Sequence, residues 1–99
     1  MTAMNIVRMK IREGLEDEYL KNHAAARDAG LYPGMRSLRV VKTGEREYMV
    51  VGEWDSMDAI VAARPQMIEF LDGFRDKLED LGQGLGVTDP RSGEVVISN

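Results

Sequence analysis

Residues 35–54, MRSLRVVKTGEREYMVVGEW, decide the fold of this chain of 99 residues. Met35 to Thr43 and Tyr48 to Trp54 are rich in β-branched, methionine and aromatic side chains, and the four residues between them, GERE, are short, polar and include a glycine. This pattern predicts a β-hairpin. In the second arm both alternating faces carry apolar side chains, so we expect a sheet that is covered on both sides.

One strand and one helix are predicted before the hairpin. From Met4 to Arg12 apolar and basic residues alternate, which is typical of a strand. Gly14 interrupts this alternation, and an acidic first turn then favours a helix from Leu15 to about Ala29, because negative charge is stabilised at the positive end of the helix dipole.

A second helix and a last strand are predicted after the hairpin. Asp55-Ser56 supplies a helix cap, and a helix is expected over residues 57–81, with a kink or a restart at Pro65. Residues 82–93 are predicted as a loop and residues 94–98 as the last strand. The helix prediction rests mainly on apolar residues spaced by four and three: Met67, Leu71, Phe74, Leu78 and Leu81.

The element order is strand, helix, strand, strand, helix, strand, with no linker or low-complexity segment. We therefore predict one α+β domain over residues 1–99, with a ferredoxin-like βαββαβ order and both helices on one face of an antiparallel sheet. The other face then needs cover, which predicts a homodimer whose two sheets meet. Depending on the register, that interface buries Ile6, Leu38 and Val40 or their neighbours of opposite parity.

Composition excludes several classes of function. The formal net charge is −4 and the isoelectric point is near 5.0, so we expect no nucleic-acid partner, because binding phosphates requires a dominant basic surface. The absence of cysteine excludes thiolate catalysis and disulfides and is typical of a reducing compartment. No apolar run is long enough to span a membrane, so we expect a cytoplasmic protein without a membrane partner.

Four short segments match a known family in order and spacing. They are Arg12-Glu13-Gly14, the helix with Tyr19 and His23, Tyr32-Pro33-Gly34-Met35, and Gly52-Glu53-Trp54-Asp55-Ser56. Over residues 4–81 the chain resembles the antibiotic biosynthesis monooxygenase-like domains of the dimeric α/β-barrel superfamily. The resemblance implies a dimeric α/β-barrel, and in quinone-forming members it implies oxidation of polyaromatic phenols without a metal or flavin.

The same superfamily contains other activities. Haem-degrading members use an asparagine on the first strand and a tryptophan and a histidine on the second helix. Asn5 lies two residues too early for that asparagine, and the second helix has neither of the other two residues. The sequence thus argues against haem degradation, whereas an isomerase or lyase remains a weaker alternative.

His23, Tyr19 and Asn5 are the candidate catalytic residues. His23 is the single histidine, and its imidazole can change charge near neutral pH. Tyr19 lies one helical turn before it. The resemblance implies a pocket between sheet and helices, with His23 as base and with Tyr19 and Asn5 as orienting donors. The alternative is a helix-edge histidine bonded to a carbonyl or to water, since no partner carboxylate has a suitable spacing.

Trp54, Tyr48 and Arg39 are the candidate substrate-pocket residues. Trp54 is expected to stack on a flat ligand, Tyr48 to line a cavity, and Arg39 to supply an isolated cation. For both rings, packing in the core or at the hairpin is the alternative. No metal-ligand spacing occurs, and we expect neither a metal nor another cofactor.

These observations together predict a cofactor-independent, monooxygenase-like protein that acts on a small aromatic or quinol-type compound. The alternative is a non-catalytic, homodimeric domain that binds a small molecule, because the sequence contains no catalytic motif of high specificity.

Overall fold

The computed structural model describes all residues from 1 to 99. Its order of elements, β-α-β-β-α-β, confirms the predicted ferredoxin-like α+β fold. A short 3-10 helix, Arg75–Lys77, follows the second helix. The main elements are β1 (Ala3–Lys10), α1 (Glu16–Ala29), β2 (Met35–Gly44), β3 (Glu47–Trp54), α2 (Met57–Asp72) and β4 (Asp89–Glu94).

The four strands form one antiparallel sheet in the order β2-β3-β1-β4. Val50 of β3 lies opposite Val7 of β1 and opposite Val40 of β2. Because directly opposed residues share a face, these three side chains point towards the helices, together with the odd-numbered residues of β1 and the even-numbered residues of β3.

The core between sheet and helices consists of two clusters of buried side chains. The larger cluster contains Met9, Ile11, Tyr19, Tyr48, Val50, Phe74 and Leu78. The smaller one contains Ala3, Trp54, Ile60 and Ala63. Both helices therefore pack on the same face of the sheet, as predicted.

Helix α1 covers the sheet with few side chains. Only Tyr19 and His23 are buried along its 14 residues. Its half-buried residues include Ala24 and Ala26, whose short side chains leave space between α1 and the neighbouring helix.

Helix α2 ends earlier than predicted. It passes through Pro65 without a restart and finishes at Asp72, and Gly73 follows it. Leu78 has extended backbone angles and forms an isolated bridge with Ile11 at the end of β1. The prediction of a helix to Leu81 was wrong, because the regular spacing of apolar residues continues to Phe74 and Leu78, which are buried but lie outside the α-helix.

The last strand also lies elsewhere than predicted. It covers Asp89–Glu94, where Pro90 pairs with Val7 at the edge of the sheet, a position that tolerates the missing N–H of proline. The β-prone residues Val96 and Ile97, predicted to lie in the strand, are 84% and 89% exposed. The first residue of β1, Ala3, pairs with Glu94. The prediction of a strand over residues 94–98 was therefore wrong, because residues 95–98 lie beyond the end of β1.

The sheet face that points away from the helices is partly apolar. Ile6 is 40% exposed and Val41 43% exposed, and Val51, which lies opposite Ile6, is half-buried. Of the residues considered for a sheet-to-sheet interface, Ile6 lies on this outer face, whereas Leu38 and Val40 lie on the helix side. No helix of the chain has both the length and the apolar character required to cross a bilayer.

Candidate functional site

A cavity of about 410 Å³ lies between the sheet and the two helices, where α1 contributes little bulk. This size is within the range of small-molecule sites, which are mostly apolar with a few polar groups. Of its 20 lining residues 13 are hydrophobic. The walls include Val7 and Met9 of β1, Val50 of β3, and Met67, Phe70 and Leu71 of α2.

His23 lies in the wall of this cavity. Its side chain is 7% exposed, and neither Nδ1 nor Nε2 has a hydrogen-bond partner. Three aromatic rings meet the imidazole edge to face, with centroid distances of 4.6 Å for Tyr19, 5.5 Å for Phe70 and 5.4 Å for Phe74. A buried polar group without a partner costs free energy unless a ligand or water satisfies it, so His23 marks the cavity as a place for a polar ligand atom.

The protonation state of His23 follows from its surroundings. Burial lowers its pKa to about 4, because the charged imidazolium is poorly solvated among aromatic rings. At neutral pH the ring is therefore neutral, with one nitrogen that donates and one that accepts. The accepting nitrogen can take a hydrogen bond from a ligand hydroxyl group that enters the cavity.

Asn5 lies in the same wall, and its amide has a defined orientation. Trp54 Nε1 donates a hydrogen bond to Asn5 Oδ1 over 2.7 Å. Since an indole nitrogen can only donate, the accepting atom of Asn5 must be its carbonyl oxygen. The Asn5 NH₂ group, for which no hydrogen bond is formed within the protein, then remains as a donor at the cavity.

Gly52 makes room for this arrangement. A Cβ atom at Gly52 would overlap Asn5 Oδ1 and would lie 2.8 Å from Trp54 Nε1 and 2.9 Å from Met35 Cε. Tyr32 stacks on the Trp54 indole with an interplanar angle of 6° and a centroid distance of 6.2 Å. The absence of a side chain at residue 52 and the stack on Trp54 together support the Asn5 amide.

The structure brings only some of the predicted site residues to the cavity. His23 and Asn5 line it, and Tyr19 lies behind His23, where its hydroxyl donates to Met9 Sδ over 3.4 Å. Trp54 is fully buried and contacts Asn5 rather than the cavity surface. Arg39 lies opposite Val51 and hence on the outer face of the sheet.

Tyr48 belongs to a separate polar group at the end of the layer where β1 finishes. Its hydroxyl donates to Glu16 Oε2 over 2.5 Å, and Lys42 Nζ donates to the same oxygen over 3.1 Å. The bond from Tyr48, followed by that from Lys42, lowers the pKa of Glu16. We call these three residues the closed end, because they fix α1 to the hairpin outside the cavity.

Arg64 is a cavity residue that the sequence interpretation missed. It lies on α2 between the lining residues Ile60 and Ile68, one turn from each. The spacing of these three residues was a signal for it, since an arginine within an apolar helical stripe is unusual. The predicted stripe followed Met67 and Leu71 instead, and did not extend back to Arg64.

No three His, Cys, Asp or Glu side chains lie close enough together to hold a metal ion. Within the cavity, His23 is the only side chain of the types that commonly bind transition metals through nitrogen or sulfur, apart from the methionines.

Comparison with known proteins gives the family. Residues 2–66 match the family of antibiotic biosynthesis monooxygenases. This match covers more than half of the chain, and the protein is therefore a member of that family. No curated protein matches the chain.

Solved structures with the same fold have diverse functions. A protein of unknown function from Nitrosomonas europaea is 16% identical with a TM-score of 0.78, covering 99% of this chain and 92% of that chain. SnoaB, a cofactor-independent oxygenase from Streptomyces nogalater, is 14% identical with a TM-score of 0.73, covering 98% and 95%. MhuD, a heme degrader from Mycobacterium tuberculosis, is 22% identical with a TM-score of 0.66, covering 98% of each chain. At these identities the similarity shows a common fold.

Proposed function

We propose that this protein is a cofactor-independent monooxygenase that acts on a small aromatic or quinol-type compound bound in the cavity. The observation that carries the proposal is His23, a neutral and buried imidazole whose two nitrogens have no partner at the wall of an apolar cavity. Membership of the monooxygenase family and the shared fold with a cofactor-independent oxygenase support it.

The first step is removal of a proton from the substrate. A ring hydroxyl donates to His23, which takes the proton, and the resulting phenolate oxygen accepts a hydrogen bond from the Asn5 NH₂ group. Tyr19 holds the imidazole by its edge-to-face contact. Burial lowers the pKa of His23 and so opposes the transfer, and the attraction between the phenolate and the imidazolium formed together, with the hydrogen bond from Asn5, offsets this cost.

The second step is oxidation of the anion by dioxygen. The electron-rich ring transfers one electron to O₂, and the two radicals combine to form a peroxide at a ring carbon that carries hydrogen. That carbon then loses its hydrogen as a proton, the O–O bond breaks, and the proton from His23 leaves with the hydroxide as water. One oxygen atom enters the ring as a carbonyl, one becomes water, and the substrate loses two hydrogen atoms, so atoms and electrons balance.

Oxygen consumption tests the proposal. We expect uptake of O₂ with 1,5-dihydroxynaphthalene or anthrone as substrate and a fall in rate of about a hundredfold or more in His23→Ala, since a lost general base costs roughly 10²–10⁴. With ¹⁸O₂, one labelled atom should appear in the quinone and one in water. Lys21→Ala, which changes an exposed residue two positions earlier on α1, is the matched control.

The outcome that ends the catalytic proposal is equal oxygen uptake by the unchanged protein and His23→Ala. Ligand binding without turnover would instead support the alternative of a non-catalytic small-molecule-binding domain. Both results are obtained from the same protein preparations, because binding is measured by thermal shift and turnover by an oxygen electrode.

We also propose that two copies associate through the outer faces of their sheets. The exposed Ile6 and Val41 and the neighbouring Val51 support this, because association removes apolar surface from water. Light scattering should give twice the chain mass, and Val51→Asp should give a monomer. Val61→Asp, a change of the same kind at an exposed position of α2, should remain dimeric. A monomer before any substitution would contradict this assembly.

A further inference from the structure

The cavity wall contains positive charge and no negative charge. The chain as a whole has 17 acidic and 13 basic residues, yet none of the acidic residues lines the cavity. Its two charged lining residues are Arg64 of α2 and Arg91 of β4. Because the protein as a whole is acidic, this wall is more positive than the average protein surface.

Arg64 is an exposed residue of α2 that lines the cavity. Ile60, Met67, Ile68 and Leu71 of the same helix line the cavity too, and of these Ile60 is buried, Met67 and Leu71 are half-buried and Ile68 is 52% exposed. Side chains at spacings of three and four project from the same face of a helix. Arg64 therefore lies where the apolar wall meets solvent, at the rim of the cavity.

Arg64 has no partner within the protein. None of the nine ion pairs includes it, and it makes no side-chain hydrogen bond. Arg91 differs, because Asp89 Oδ1 lies 3.4 Å from its Nη1 and partly neutralises it. Arg64 is thus the cation in the wall whose hydrogen-bond donors remain free for a ligand.

We propose that the cavity is specific for an aromatic compound that carries an anionic group, and that Arg64 binds this group. This proposal rests on the proposed function, in which the cavity binds a hydroxylated aromatic ligand. It adds that the ligand carries an anionic group at its other end. A carboxylate is the group that fits, because a guanidinium can bind it through two parallel hydrogen bonds.

Two ends of the ligand are then recognised by different parts of the site. The hydroxyl meets His23 of α1 and Asn5 of β1, the flat body lies among the apolar side chains, and the carboxylate meets Arg64 of α2. A ligand with its hydroxyl and carboxylate at opposite ends of a fused aromatic ring satisfies this order. The positive wall also attracts such an anion and increases its rate of association at low salt.

Calorimetric titration with matched compounds tests the proposal. The probes are 6-hydroxy-2-naphthoate, its neutral carboxamide and 2-naphthol, which share the same ring and hydroxyl. We expect the carboxylate to bind about tenfold more tightly than the carboxamide, with a preference that decreases at high salt. In Arg64→Gln the preference should fall to about twofold or less, while Arg64→Lys should retain part of it.

Arg27→Gln is the matched control, because it removes the same charge from an exposed arginine whose partner is its neighbour Asp28. It should leave the preference unchanged. Equal affinity for carboxylate and carboxamide in the unchanged protein, or an equal loss in Arg27→Gln and Arg64→Gln, would overturn the proposal. Failure of all three compounds to bind would overturn it too.

These outcomes separate this inference from the proposed function. Oxygenation of neutral phenols without a preference for the carboxylate refutes the role of Arg64 and leaves the oxygenase intact. A preference that depends on Arg64, found without any oxygen uptake, supports the role of Arg64 and refutes the oxygenase.

Discussion

Polar side chains are paired with one another at the closed end and are unpaired in the cavity. At the closed end the hydroxyl of Tyr48 and the ammonium of Lys42 both bind Glu16. In the cavity both nitrogens of the buried His23 have no partner, and the exposed Arg64 at its rim makes no ion pair. Both groups lie in the same layer, between one sheet face and the helices. Polar groups that are paired within the chain therefore stabilise the fold, whereas buried polar groups without a partner indicate where a ligand binds.

The largest expected effect concerns the unpaired imidazole. The pKa of His23 is about 4 in the folded protein against an ordinary value of 6.5, so between these pH values the unfolded chain binds a proton that the folded protein does not. The free energy of unfolding should therefore decrease by about 3 kcal/mol as the pH falls from 6.5 to 4. His23→Phe should lack this decrease.

Urea unfolding of both proteins over this pH range gives the measurement. The chain has a single histidine, so subtracting the two curves cancels the carboxylates that titrate in both proteins. A difference that does not change with pH would show that His23 is not buried as described.

A smaller effect is expected from Gly52→Ala, which places a methyl group against Asn5 and Trp54. Overpacking of this kind costs about 2 kcal/mol, and the displaced Asn5 amide should also weaken binding of phenolic ligands. Gly93→Ala is the matched control, because its Cβ meets no atom within 4 Å. If the two variants unfold at the same urea concentration, the contact between Gly52 and Asn5 is not tight.

At the closed end, Tyr48→Phe removes the hydrogen bond to Glu16 and should cost about 1 kcal/mol without changing ligand affinity. This bond lowers the pKa of Glu16, so its contribution is present at neutral pH and disappears as acid protonates the carboxylate. Thermal unfolding and ligand titration of the same variant provide the two measurements. A tenfold loss of ligand affinity would contradict the separation of the closed end from the cavity.

The smallest effect is expected for Lys42→Ala at the same place. The Lys42 side chain is 56% exposed, and exposed ion pairs contribute little because water and salt screen them. The melting temperature should not change measurably at moderate salt. A fall as large as that of Tyr48→Phe would mean that Lys42, and not the tyrosine, holds Glu16.

The sequence was sufficient for the parts of the fold that depend on local patterns. The alternation of apolar and polar residues predicted β1 and the hairpin. The acidic residues in the first turn predicted α1. The pattern failed at Leu78, because periodic apolar residues report burial and not the backbone conformation that achieves it. It failed at Val96 for another reason, since high β-propensity forms a strand only where a partner strand is within reach.

Prediction of which side chains line the cavity was right where a residue type was unique and wrong where the position in space mattered. His23 was identified because it is the single histidine of the chain, and Asn5 because the resemblance pointed to the first strand. Arg39 was chosen as a pocket cation from its alternation alone, which cannot tell the two sheet faces apart. The pairing of Arg39 with Val51 places it on the outer face, and the arginine in the wall is Arg64.

The sparse attachment of α1 has a consequence for access to the cavity. Only Tyr19 and His23 anchor this helix by burial, so its amides should exchange with solvent by local opening that requires little free energy. One of these two anchors is also the residue that meets the ligand. Binding must then slow hydrogen exchange along α1 more than in the sheet, since a ligand that selects the closed helix adds its binding free energy to the cost of opening.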